Sequence, residues 1–550
     1  MKKTILLFFV LTTLLFSISE FTGSNGKLSF KYNDKYNRIT RLNGDMGTHN
    51  TDISTIQLGV YYEGNYYLLS NNIISKEFIP KTNIFKTVAE LPFGTITTKY
   101  IPSMVDKYSF YILNEYDIAD EKPIDFVYIF NMTETNGVIK YVKNKDYYQY
   151  NENIYIKNLK NQMTGYIIPT SNLEEIKLKK IESTTIKYRN QRLIMSSKVR
   201  IFDKEKADIV QIRYKGEPTF FAFESSTRLL ARESDYWKNW LKPLPFTLDK
   251  NTKKIVERFL IYLKTSTNGY NSYTNIGLNE TFQSKDSLFA TIAFIKYGYL
   301  EDAKEIIKGR LYADNDLSYL SNSKLTEKEI QDIYIFLMYI AKSKDTQFYN
   351  ENSIEIRKKI NRIINNIIDG EDGKNILSKG YEFKIYYYTY IILNLYREIT
   401  DDKSYFLNEI KLRNDLFINF LVGDEVKKYR LDKEYTYSKW EFPIFYRGAD
   451  QDTILEALHK KTIFNRYPYF SDTKIVDINR NLNILDGFYA NKLKRYGDIN
   501  LLQINEDIEK NAMRIPNKIY LIGGKRYKVN GIDIYLTSKY LNLIYDRGEK

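Results

Sequence analysis

Residues 379–397 read K-G-Y-E-F-K-I-Y-Y-Y-T-Y-I-I-L-N-L-Y-R, and this run decides the character of the second half of the chain. Ile391, Leu395 and Ile399 recur at four-residue spacing, with Tyr388 and Ile392 beside them. That spacing predicts a helix from about residue 386 to about residue 399 with one buried face. Glu382 follows a Gly-Tyr pair and stands at the mouth of this helix. Lost solvation among aromatic rings raises a carboxyl pKa toward the range where it donates a proton near neutral pH. The partial positive charge of a helix N-terminus pulls the other way, and the sequence leaves that balance open. Taken alone, Glu382 reads most simply as an ordinary first-turn glutamate.

Working outward, the helical period extends from about residue 251 to the end of the chain. Residues 284–311 predict two helices separated at Gly298, and further helices are expected at 330–342, 354–368, 405–421, 453–459, 482–496 and 537–545. About 300 residues of helices joined by short loops fit a closed toroid of helical hairpins, an all-α (α/α)6 domain over 251–550. In such a ring, functional residues gather in the loops and helix ends at one mouth.

Ahead of it, short β-branched and aromatic runs alternate with turn residues. Three hairpins are expected: 56–60 with 66–69 around Glu63-Gly64-Asn65, 186–188 with 193–195 around Arg189-Asn190-Gln191, and 209–214 with 219–223 around residues 215–218. They predict an antiparallel β-sandwich over 20–225. No 20–50-residue repeat is present. Residues 226–250 form a linker with a helix that places Trp237 and Trp240 on one face, suited to clamping one domain on the other.

The ends and the composition narrow the function. Lys2 and Lys3, an apolar run from Ile5 to Phe16 and small residues at Ser17 and Ser19 predict a signal peptide over 1–19. The protein is expected to be secreted or periplasmic, with no stable membrane insertion after cleavage. At 43% hydrophobic residues and a mean hydropathy of -0.45 the rest reads as soluble and globular. Cysteine is absent and only His49 and His459 are present, which removes thiolate nucleophiles, histidine triads and Cys or multi-His metal sites. His49 reads as a turn residue and His459 as a helix C-terminal cation, and the aromatic stretch 440–450 reads as one wall of the mouth. No cofactor or metal is expected, and any catalysis rests on carboxylates, lysines or tyrosines. The net charge of +14 comes from scattered lysines without a basic block, so no nucleic-acid partner is expected.

Several stretches, in order, resemble glycoside hydrolase family 15, the glucoamylase-like six-hairpin glycosidases. D-Y-W-K-N-W-L at 235–241 looks like the family's tryptophan-containing first helix. E-T-F-Q-S-K-D-S-L-F-A at 280–290, continuing as K-Y-G-Y-L-E-D-A at 296–303, is similar to the segment carrying W-x-R-D and then G-x-x-x-x-A. Residues 332–345 resemble the next helix, and G-Y-E-F-K at 380–384 falls where the family has its W-E general acid. Residues 490–498 look like a helix ending in a-L-x-x-x-G, I-P-N-K at 515–518 lies where P-E-Q carries the general base, and 531–541 resembles the closing helix. The resemblance implies an oligo- or polysaccharide as partner, Glu382 as general acid, and Tyr381, Lys285 and Asp286 as sugar-binding residues.

The departures are equally specific. The base position holds Asn517, whose neutral amide cannot accept a proton from water, and W-x-R-D becomes Gln283-Ser-Lys285-Asp286, without the indole and the guanidinium. Asp286 also reads simply as a helix-start residue. Three readings are open: a glycosidase whose base is another carboxylate such as Asp533, Asp486 or Glu506; a phosphorylase using phosphate as nucleophile; and a non-catalytic saccharide-binding or envelope protein. A polysaccharide lyase on a related toroid is a further alternative.

Overall fold

In the computed structural model the described residues are 20–44, 53–118, 122–132, 136–151, 153–169, 179–181, 186–189, 191–199, 206–214, 225–266, 284–312, 322–369, 383–423, 425–427, 435–438, 475–479, 481–482, 485, 494–509, 515–522, 525–530 and 534–549. The predicted signal peptide, both histidines, the 440–450 stretch and the helix expected at 453–459 lie outside them.

The N-terminal part is an antiparallel sandwich of two sheets. One runs Glu20–Ser24, Leu28–Asn33, Arg38–Gly44, Ile53–Tyr62, Asp125–Met132, Gln191–Lys198, Met163–Pro169 and Lys179–Lys180, with Asn65–Leu68 also paired to Ile53–Tyr62. The other runs Ile186–Arg189, Asn136–Val142, Tyr147–Tyr150, Ile154–Asn158, Ala207–Tyr214, Ser109–Ile118, Gly94–Pro102, Phe85–Leu91 and Ile73–Phe78. Strands such as Phe85–Leu91 alternate buried and partly exposed side chains, and Phe30, Phe85, Phe110, Tyr128 and Ile212 fill the space between the sheets.

The first expected hairpin is present. Tyr62 faces Asn65 across Glu63-Gly64, both with positive φ (48° and 82°), the backbone that a two-residue hairpin of matching twist requires. The second is not a hairpin. Ile186–Arg189 pairs with Asn136–Val142 in one sheet, while Gln191–Lys198 pairs with Asp125–Met132 and Met163–Pro169 in the other. The chain changes sheets there instead of turning back. Of the third, Ala207–Tyr214 is a central strand, and residues 215–224 lie outside the described set.

Helix α1, Ser226–Trp240, begins at Ser225, whose side chain accepts from the Arg228 N–H. Its Leu229 packs into a cluster with Ile101, Tyr111 and Ile209 of the sandwich. Trp237 is buried against Met104 of the sandwich and Ile261 of α2, Lys250–Ser266. The expected clamp is therefore present. It is reinforced by Arg258 of α2, whose guanidinium lies 3.4 Å from the Phe78 ring centroid and donates to the Thr82 carbonyl at 3.3 Å and Asn83 Oδ1 at 3.2 Å.

The helices that follow are α3 (Ser284–Lys296), α4 (Leu300–Tyr312), α5 (Asn322–Ser343), α6 (Thr346–Ile364), α7 (Phe383–Thr400), α8 (Phe406–Asp415), α9 (Lys494–Glu509) and α10 (Ile534–Glu549). π-turns at Asn365–Asp369 and Leu416–Phe420 extend α6 and α8. Gly298 separates α3 from α4 as expected. At φ 81° it donates to the Ile295 carbonyl while Tyr299 donates back to Phe294, a Schellman stop. Tyr299 thereby reaches Trp240 and stacks on it at 4.3 Å, and the Trp240 indole N–H donates to Asp302 on the first turn of α4 at 3.0 Å.

Two expectations are corrected. The helical half is not purely α: it carries two small antiparallel sheets, Leu421–Val422 with Glu425–Lys427 and Tyr435–Ser438, and Ile475–Asp477 with Pro516–Ile522 and Lys525–Asn530. The helix expected to stop at Gly497 instead runs through it as α9. Buried Leu501, Ile504 and Ile508 continue the apolar stripe beyond that glycine, and their packing outweighs the roughly 1 kcal/mol penalty of a mid-helix glycine.

Candidate functional site

The helices pack in two layers, with α10, α3, α5 and α7 as neighbours in one row and α2, α4, α6 and α8 behind them. Side-chain pairs fix their directions. Phe289 meets Tyr535 edge to face at 4.8 Å near the starts of α3 and α10, and Lys296 meets Asp546 at 2.6 Å near their ends, so these two helices are parallel. Lys304 bonds Asp345 at 2.7 Å, and Arg310 Nε donates to Asp332 at 2.6 Å, so α4 runs against α5. Arg310, close to the end of α4, also donates to Ser287 on the first turn of α3. Helices α3, α5 and α10 therefore all begin at one end of the row, where their N–H groups and partial positive charges collect. Arg362 at the end of α6 pairs with Glu329 of α5 at this end.

Lys285 and Asp286 fall on the first turn of α3, at that end; their side chains are outside the described set. Tyr381 and Glu382 lie outside it altogether, immediately before α7 begins at Phe383. Asn517 lies in the strand Pro516–Ile522, where the pairing slips between Pro516–Asn530 and Lys518–Val529, leaving it as the extra residue of a bulge. Of the three alternative bases, Glu506 stands exposed on α9, which packs behind the row against α2. Asp486 and Asp533 are outside the described residues, Asp533 directly preceding α10 in the chain.

Sequence reasoning missed the ionic hub that braces this end. Asp332 is buried and bound by Arg310, whose other nitrogens reach Ser287 and, at 3.4 Å, Gln331. Burial raises the pKa of Glu329 against the opposing pull of Arg362 and Lys359, and burial lowers that of Lys328. Both carboxylates are held by guanidinium groups, which suits them to fix helix positions and not to activate water. The signal was a Gln-Asp pair inside the apolar run 330–337. On α10, Lys539 donates to Asn479 at 2.6 Å and lies 5.4 Å from the Tyr535 ring centroid. Phe289, Tyr334, Tyr387, Tyr388 and Tyr535 pack against the core of the row helices while remaining partly exposed.

No family model matches the chain, and no curated protein sequence does either. Solved structures do match. A bacterial glucoamylase complexed with acarbose superposes with a TM-score of 0.61 at 12% identity, over 96% of this chain and 93% of the other. A protein named "Putative kojibiose phosphorylase from human microbiome" superposes with a TM-score of 0.54 at 8% identity, over 96% and 87%. The chain shares its fold, an antiparallel sandwich followed by a helical domain, with these structures. Among the described residues no helix is long and apolar enough to cross a membrane.

Proposed function

We propose that the chain is an exported carbohydrate-active protein that hydrolyses glycosidic bonds of an oligo- or polysaccharide. The observation that carries this reading is the likeness to the glucoamylase over 96% of the chain, sandwich included. In the reading, the substrate enters at the end of the helix row where α3, α5 and α10 begin. Tyr381, Lys285 and Asp286 grip the sugar there, and Glu382, immediately before α7, protonates the leaving oxygen. The other layer of an inverting reaction is a carboxylate roughly 6.5–9.5 Å from the acid that activates water. Asn517 cannot serve. Asp533 is the best candidate, because it directly precedes a helix that begins beside α3.

The likeness to the phosphorylase favours one second reading, in which phosphate replaces water and no base is needed. Turnover of a panel of neutral and acidic oligosaccharides, with and without phosphate, by the protein and by Glu382→Gln separates the cases. Phosphate-independent turnover lost in Glu382→Gln supports hydrolysis, and turnover that requires phosphate supports phosphorolysis. Saccharide binding without turnover under either condition would make the chain a non-catalytic relative.

A further inference from the structure

Helix α8 and its π-turn carry an apolar arc that points away from the core. Leu407 and Ile418 are 71% and 77% exposed, and Phe406, Ile410 and Val422 are exposed with them. The opposite face is ordinary: Leu412, Leu416 and Phe420 are buried, with Phe420 against Phe383 and Tyr386 of α7. At 3.6 residues per turn, Phe406, Phe417, Ile410, Leu407 and Ile418 cover an arc of roughly 120°, interrupted by one exposed, uncharged polar residue, Asn414. Arg413 borders one edge of it and Lys411 the other, both exposed. The acids of this helix are withdrawn from the arc. Glu409 is buried in an ion pair with Arg397 at 3.0 Å, and Asp415 is half-buried and accepts from Asn419.

An exposed apolar stripe edged on both sides by cations is the pattern of a helix that lies in a lipid interface. The aliphatic side chains enter the acyl boundary, and the long basic side chains reach up to the phosphates. A second copy of the chain is a poorer occupant, since an antiparallel pairing of this face on itself sets Lys411 and Arg413 against the same cations. A saccharide is poorer too, because Leu407, Ile410 and Ile418 offer neither rings nor hydrogen bonds. The net charge of +14 adds attraction toward an anionic surface.

We propose that α8 and its π-turn dock the protein on an anionic phospholipid surface, with Leu407 and Ile418 at the acyl boundary and Lys411 and Arg413 on the headgroup phosphates. The inference is independent of the reading of Glu382. It concerns peripheral docking, with the chain remaining outside the hydrocarbon core.

The test is co-sedimentation with vesicles of phosphatidylglycerol and phosphatidylcholine, against phosphatidylcholine alone. The protein is used both with and without residues 1–19, so that the apolar N-terminal run is not mistaken for α8. Binding to the anionic vesicles is expected in both forms. The double variants Leu407→Glu/Ile418→Glu and Lys411→Glu/Arg413→Glu should each lower partitioning at least about tenfold at unchanged Tm, equivalent to about 1.4 kcal/mol. Absence of binding, or binding indifferent to both variants, overturns the proposal. So does a large fall in Tm on Leu407→Glu/Ile418→Glu, which would assign the face to the chain's own residues 428–474. A lipid-free dimer that these glutamates dissolve would assign it to a second copy, with the same consequence.

Discussion

The phenolic hydroxyl of Tyr128, on one sheet of the sandwich, donates to Oδ2 of Asp208, on the other. Asp208 is 0% exposed, and its other oxygen accepts from Asn158 and Asn161 at 2.7 Å each and from Ser197 at 3.0 Å. Tyr128 in turn accepts from Asn114, whose carbonyl accepts from Thr98, each at 2.7 Å. The carboxylate is compensated by a ring of neutral donors that spans both sheets, and proximity to it raises the Tyr128 pKa beyond what burial does alone. Asp208→Ala takes an acceptor from four buried donors, of which Asn158 keeps Ser197 Oγ, and is expected to destabilise by roughly 3–5 kcal/mol in denaturant unfolding. Tyr128→Phe should cost about 1–3 kcal/mol. Equal and small effects of the two substitutions would refute this role.

Trp240 joins the linker helix to α4 through the stack on Tyr299 and the indole bond to Asp302, which Lys264 also engages. Trp240→Phe keeps a six-membered aromatic ring but loses the fused pyrrole ring and its N–H, leaving a part-buried carboxylate oxygen short of one donor. It should cost about 1 kcal/mol, whereas Trp237→Ala, which empties the buried slot beside Met104 and Ile261, should cost roughly 3–5 kcal/mol. Thermal unfolding of the two variants in parallel checks the order.

Glu233 is buried where α1 meets the sandwich, accepting from the Ser103 hydroxyl and, at 2.9 Å, from the Met104 N–H, with the Arg232 guanidinium 3.5 Å away. Burial raises its pKa, and those donors and Arg232 only partly offset it. Because the folded-state pKa lies above the unfolded one, the contribution of this group is complete below the unfolded pKa and is lost as pH rises through the folded one, at up to about 1.4 kcal/mol per pH unit. Glu233→Gln imitates the protonated acid, so its unfolding free energy should be flatter with pH over that window. A parallel slope in the two proteins would remove Glu233 as the cause.

Arg310 holds the buried carboxylate of Asp332 and ties it to the first turn of α3. Arg310→Ala leaves that charge without its cation and should destabilise by about 3–5 kcal/mol, while Arg310→Ala combined with Asp332→Ala should recover part of the loss. A double-mutant cycle with no coupling between the two positions would contradict the pairing.

If the chain hydrolyses saccharides through Asp533, Asp533→Asn should lower kcat by about 10²–10⁴ with KM little changed. Asn517→Ala should leave kcat within about twofold, because a neutral amide transfers no proton in the reaction. The reverse ranking in steady-state kinetics would return the catalytic role to the Pro516–Ile522 strand.

Much of this architecture was legible from pattern. The spacing of Ile391, Leu395 and Ile399 gave α7 but not its buried stripe, which is Ile385, Thr389, Ile392, Leu393 and Tyr396 with those three residues only partly buried beside it. Glu63-Gly64 gave a hairpin and Gly298 a helix stop, both at positive φ. Asn190 was misread because a short polar turn between two apolar runs is the same local signal whether the chain folds back within a sheet or crosses to the facing one. Only long-range pairing decides between them. The strands 516–522 and 525–530 were readable: Ile-Tyr-Leu-Ile and Tyr-Lys-Val flank Gly523-Gly524, and the expectation of a purely helical domain overrode that signal. At the site, first-turn positions such as Asp286 follow from helix starts. The brace of Arg310 and Asp332 unites two helices that follow one another in the chain, and no periodicity encodes which buried charge meets which.

The zipper between α10 and α3 has a consequence for how the protein is made. Tyr540, Leu541 and Ile544 supply core beside segments that leave the ribosome some 250 residues earlier, and Lys296 waits for Asp546 over the same span. Until α10 has been made, the flank of α3 that it covers therefore stays bare, and the row of helices is incomplete. A growing chain in that condition carries an apolar surface open to wrong contacts until α10 arrives to cover it.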